Sequence, residues 1–163
     1  MHAVLTKAEE ALGMFFFALT STLVFVGAVA RTIGSPLIWS VDIAQAAFVW
    51  ACVLGADVAL KRGAHIEIDI FVRRFSVKTR RALAGASWAL IAIFLAFLVV
   101  YGIQLVRLNV ERPLGDTGLS YVWVTLAIPV GAFLMLATTL RILWRAWVGR
   151  EAFSLEGRDG MVL

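Results

Sequence analysis

Residues 83–106 read LAGASWALIAIFLAFLVVYGIQLV, a stretch without a single charged side chain. A helix rises about 1.5 Å per residue, so this stretch extends about 36 Å, enough for a hydrocarbon core of about 30 Å. Three further stretches share its character: Ala11–Ala30, Ile43–Leu60 and Tyr121–Leu140. The 163-residue chain is 61% hydrophobic, with a mean hydropathy of +0.90. Soluble domains are roughly 45–50% apolar. The reading is an all-α integral membrane protein with four transmembrane helices. Little chain remains outside them, so residues 1–163 are taken as a single four-span membrane domain.

Charge orients the spans. Reading outward from them, the connecting segments fall alternately on two sides of the membrane. One side collects Lys7, then Lys61, Arg62, Arg73, Arg74, Lys78, Arg80 and Arg81, then Arg141, Arg145, Arg150 and Arg158. The other has only Arg31, Arg107 and Arg112 of the 15 Lys and Arg. Cytoplasmic loops hold the excess of basic residues, so both termini are expected in the cytoplasm. Net charge +4 and a pI near 9.8 could suggest nucleic acid. Here, though, the basic residues flank apolar segments, where they serve topology and lipid headgroups. No nucleic-acid partner is expected. Ala28-Val29-Ala30 follows an apolar run and resembles a signal cleavage site. That run is about twenty residues, longer than the roughly 7–15 of a signal core, so it is read as a span, opened by Thr6-x-x-Glu9 as a capping box. Cys52 lies inside a span and cannot form an intrachain disulfide.

Within this frame a few residues stand out. Trp39 sits at an outer boundary, where an aromatic anchor belongs. Asp42 and Gln45 share one face at the outer end of span two. Ala47, Ala51, Gly55 and Ala59 recur every four residues along the same span, and such a stripe lets another helix come close. Asp57 precedes Lys61 by four residues, the spacing of an ion pair on one helix. Residues 66–76 place Ile68, Phe71, Val72 and Phe75 on one helical face. This predicts a short amphipathic helix in the cytoplasmic headgroup region. Pro129 cannot donate to the Thr125 carbonyl and predicts a kink in span four. Trp144 and Trp147 mark that span's cytoplasmic exit.

Chemistry-bearing groups are few. His65, Glu67 and Asp69 alternate, but charged loops more often pair such groups with Arg and Lys than with a metal. The two histidines, His2 and His65, both lie outside the spans, which disfavours haem held by two axial His. No charge lies at the centre of a span, where an ion-moving protein keeps its binding group. No catalytic, cofactor or metal site is expected. These residues describe a subunit that supports another protein.

Three segments resemble the small membrane subunit of tripartite ATP-independent periplasmic (TRAP) transporters. They are Trp39-Ser40-Val41-Asp42, the run Gly55 to Asp69 with Arg62, Gly63, His65, Ile66 and Asp69 at its core, and Leu126-Ala127-Ile128-Pro129-Val130-Gly131. The family often has consecutive acidic residues early in span two, whereas here Asp42 stands alone and Gln45 follows. The resemblance implies a non-catalytic bacterial inner-membrane subunit. Its implied partners are a large multi-span subunit, which carries an organic acid and sodium as an elevator, and a periplasmic solute-binding protein. Within that motif, His65 and Asp69, with Arg62, are expected to fix the turn out of span two; the overlapping alternative is that His65 simply hydrogen-bonds a backbone carbonyl there. The alternatives are a self-sufficient homo-oligomeric transporter, for which Asp57 is the only plausible membrane carboxylate, and a haem- or quinone-binding enzyme subunit.

Overall fold

In a computed structural model, the structure describes residues 2–62 and 77–147. The described helices are α1 (His2–Thr32), α2 (Ile38–Lys61), α3 (Val77–Leu108), the short α4 (Val122–Thr125) and α5 (Ala127–Trp147). Four apolar helical segments are long enough to span a bilayer: Thr6–Thr32, Ile38–Lys61, Ala82–Leu108 and Val122–Trp144. Each contains or nearly matches a span read from the sequence. The helices run further than the apolar runs because polar residues such as Lys7, Glu9 and Glu10 also favour helix. The expected capping box at Thr6 is not one, since α1 already begins at His2. Glu9 is used elsewhere. The expected amphipathic helix at 66–76 lies outside the described residues.

Local chemistry sets the helix ends. α1 closes with the Gly34 amide on the Arg31 carbonyl (3.2 Å) and the Ser35 amide on the Ala30 carbonyl (3.0 Å). That is a Schellman close, and Gly34 takes the positive φ of 81° it requires. Pro36 follows and forbids resumption. Within α1 the hydroxyls of Thr20, Ser21, Thr22 and Thr32 donate to carbonyls one turn back. This satisfies them inside an apolar helix without help from a neighbour. The Thr20 hydroxyl also lies 3.4 Å from the Ala44 carbonyl of α2. The Pro129 break appears as expected: the last span divides at Leu126 into α4 and α5. The Trp50 indole of α2 donates to the Trp123 carbonyl there, at 2.8 Å.

The helices stand in an open row and do not close into a bundle. α1 packs extensively on α2, α2 on α5, and α5 on α3. The order across the row is therefore α1–α2–α5–α3. Burial follows position. A third of the apolar window is buried in each central helix, 17% in α3 and none in α1. α1 runs antiparallel to α2, as the contacts of Gly13 with Leu54 and Gly27 with Ser40 require. α2 and α5 run parallel, since Val53 meets Gly131 and Asp57 meets Thr138. The core along the row is made of small residues, among them Ala44, Ala47, Ala92, Ala127 and Ala132, with Leu54, Leu95 and Val124 between them. In lipid, helix association depends on such close packing, because the surroundings are as apolar as the interface. Gly131 shows how close: a Cβ there would collide with Cγ1 of Val53.

Candidate functional site

Polar side chains gather at the two ends of the row. At the end where α2 finishes, here the Lys61 end, Lys61 and the C-cap residue Arg62 meet consecutive acids of α1. The Lys61 ammonium lies 2.6 Å from Asp57 Oδ2, one turn back on its own helix, and also pairs with Glu9 across the helix boundary. The Arg62 guanidinium lies 2.5 Å from Glu10 Oε2. Asp57 is wholly buried and Glu9 is only 7% exposed. Asp57 Oδ2 makes no well-directed hydrogen bond, so charge rather than direction holds it to Lys61. Its other oxygen lies 3.4 Å from the Thr138 hydroxyl of α5, which also donates to the Leu134 carbonyl one turn back at 3.1 Å. The space where a cation could sit between two carboxylates is thus filled by the chain's own ammonium.

At the other end, residues 109–121 fold into a compact cap. The Tyr121 amide donates to the Arg112 carbonyl (2.8 Å) and the Leu114 amide to the Leu119 carbonyl (2.7 Å). The Ser120 hydroxyl closes onto the Val110 carbonyl at 2.8 Å. The Arg112 guanidinium lies 4.6 Å over the Tyr121 ring, and Leu114 is buried beneath the turn. Asp42 meets this cap: its carboxylate lies so near Gly115 that no side chain could be carried there.

Between the ends, an apolar groove of about 430 Å³ opens on the α1–α2 side, near the Lys61 end. Gly13, Met14 and Phe17 of α1 line it with Phe48, Ala51, Cys52 and Gly55 of α2, below Glu9 and Glu10. Further along, Phe16 stacks on Trp50 with centroids 6.2 Å apart.

The residues singled out by sequence divide among these places. Trp39 and Gln45 are exposed near the cap end, and Asp42 packs on the cap. The small stripe splits. Ala47 is buried and Ala51 half-buried, whereas Gly55 faces the groove, where an added methyl group would meet nothing within 4 Å. Pro129 packs on Gly102 of α3, and Gly131 on Val53. Arg62 pairs with Glu10. Gly63, His65 and Asp69 lie outside the described residues. The i, i+4 pairing of Asp57 and Lys61 is present. Glu9, Glu10 and Thr138 were not singled out as partners at this end. One signal was available: adjacent acids before span one and adjacent bases ending span two must meet when the two spans form a hairpin.

Fold and polar clusters together define a multi-pass membrane protein in which, among the described residues, Glu9, Glu10, Asp57, Lys61 and Arg62 pair within the chain. The model of a family described as "Tripartite ATP-independent periplasmic transporters, DctQ component" matches residues 20–149, and the chain belongs to that family. It is therefore a transporter component and not an enzyme, a multi-pass protein of the inner membrane. Among its relatives is the sialic acid TRAP transporter small permease protein SiaQ of Vibrio cholerae, 27% identical over 103 residues, covering 63% of this chain and 60% of that protein. The C4-dicarboxylate TRAP transporter small permease protein DctQ of Rhodobacter capsulatus is 27% identical over 111 residues, 67% of this chain and 49% of that one. The sialic acid TRAP transporter permease protein SiaT of Haemophilus influenzae is 29% identical over 134 residues, 81% of this chain but 22% of that longer protein. The matches thus span less than two thirds of each relative's length.

Proposed function

We propose that this chain is the small permease subunit of a sodium-coupled TRAP transporter that imports an organic acid, and that it braces a large elevator subunit without binding substrate or sodium itself. The partners in this reading are the large multi-span subunit, a periplasmic solute-binding protein and membrane lipids. The family match over residues 20–149 carries the reading. The buried, Lys61-paired state of Asp57 supports it: this carboxylate is already engaged by the chain's own ammonium. An open row also suits a brace, since it offers broad faces and two long edges. The names of the relatives, sialic acid and C4-dicarboxylate, share a carboxylate, which supports an organic acid as the substrate class. The basic residues around the Lys61 end support placing that end, and both termini, in the cytoplasm.

The surface proposed for the large subunit is the exposed part of the small stripe, with Trp39, Asp42 and Gln45 toward its other end. Gly55 gives the clean test, because a Cβ there would meet nothing within 4 Å. Gly55→Leu is expected to reduce co-purification with the large subunit while this chain still inserts and folds. An intact, fully active complex would remove that surface. Reconstituted alone in liposomes, the chain is expected to take up no organic acid. Uptake by the chain alone, lost in Asp57→Asn, would overturn the scaffold reading in favour of a homo-oligomeric transporter.

A further inference from the structure

We infer that Lys61 is a positioning residue whose single ammonium fixes the angle between α1 and α2 at this end of the row. A lysine near the end of a span ordinarily extends its stem toward the headgroups. Lys61 does the reverse. It turns back one helical turn to Asp57 and reaches across to Glu9. Asp57 in turn lies within reach of Thr138 on α5. One cation therefore holds two carboxylates from two helices, and a hydroxyl from a third sits on one of them. Both carboxylates are buried, so neither can exchange the ammonium for water. Without it, two negative groups share one low-dielectric site. Each raises the cost of the other's charge, and the least costly relief is movement of α1 away from α2. The Arg62–Glu10 pair is a weak substitute, because the Arg62 side chain is 58% exposed and that of Glu10 35%, and ion pairs open to the surroundings are worth little. In the proposed scaffold role an angle that does not drift is what a brace requires. That consequence rests on the scaffold reading. The lock is a property of the chain itself and is tested without a partner.

The test uses the full chain in lipid nanodiscs, with Cys52→Ala and two pairs of spin labels. One pair, at Ala8 and Trp144, reports the Lys61 end, and the other, at Ile33 and Val110, the cap end; all four positions are exposed. Electron–electron double resonance gives the distance distributions. Lys61→Met is expected to broaden the first distribution about twofold or more as the carboxylates repel, leaving the second unchanged. Lys61→Arg, which keeps the charge, is expected to leave both narrow. An unchanged first distribution in Lys61→Met overturns the inference. Equal broadening at both ends also overturns it, since that describes general loosening. Should Lys61→Met fail to fold, the triple variant Glu9→Gln, Asp57→Asn, Lys61→Met removes the stranded charges. With the repulsion gone as well as the tie, a first distribution still broader than that of the unaltered chain, with the second narrow, supports the lock, and a first distribution as narrow as that of the unaltered chain refutes it.

Discussion

The two hairpins of the row have the same topology and are held by different physics. In each, an outer helix of more than 30 residues, α1 or α3, returns as a central helix, α2 or α4–α5. The α1–α2 hairpin adds directed groups to close approach. The directed groups are the ion pairs Lys61–Glu9 and Arg62–Glu10 and the Phe16–Trp50 stack, beside the close approaches of Gly13 to Leu54 and of Gly27 to Ser40. The described α3–α5 seam relies on close approach, with Gly102 against Pro129 and Ala92 and Leu95 buried. A short hydrogen-bonded cap closes its loop end. Shape can be satisfied by many small residues at once, so losing one contact is shared among the rest. A buried charge has no such reserve, because removing its partner leaves the whole desolvation cost on one atom.

The comparison can be broken most forcefully at Lys61. Removing one partner of a buried pair costs about 3–5 kcal/mol, so Lys61→Met is expected to lower the thermal unfolding midpoint sharply in detergent. The triple neutral variant is expected to recover much of that loss. Simple addition of the single effects would show that the three groups do not act together. In the second hairpin, Gly102→Val places methyls beyond a Cβ that would itself stand 3.1 Å from Pro129. Overpacking of this kind costs about 1–3 kcal/mol, which a shifted unfolding curve would register. An unshifted curve would show that the α3 seam can yield. Trp50→Phe keeps a ring for the Phe16 stack but loses the donor to Trp123, a change of about 1 kcal/mol. The smallest effect is expected from Arg62→Gln. Exposed ion pairs are worth about 0–1 kcal/mol, and added salt should shrink that difference further. A loss as large as that of Lys61→Met would place Arg62 inside the lock.

Much of this was readable along the chain, for reasons specific to particular residues. Residues 83–106 declare a span because an uncharged apolar run of that length matches the thickness of a bilayer. Pro129 announces the break at Leu126 because a missing amide is a local fact. Asp57 and Lys61 are one turn apart, so their pairing also follows from helical geometry alone. The capping box at Thr6 misled because the same residues that cap helices also continue them, and His2 to Leu5 extend α1. Glu9 was legible as an acid near a span but not as the partner of Lys61. That pairing depends on which helix stands beside which.

Sequence alone therefore determined the number and extent of the spans, the Pro129 break and the Asp57–Lys61 pair, since each arises from interactions within a few residues. The tertiary structure decided the order α1–α2–α5–α3, the split of the small stripe between core and groove, and the meeting of Glu9, Lys61, Asp57 and Thr138. The physical reason is the solvent. In water an apolar stripe marks the inner face of a helix, but lipid is as apolar as leucine, so composition does not say which face turns inward. Neighbours in a bilayer are chosen by shape and by the few charges that must find each other, and both are settled only when the helices stand side by side.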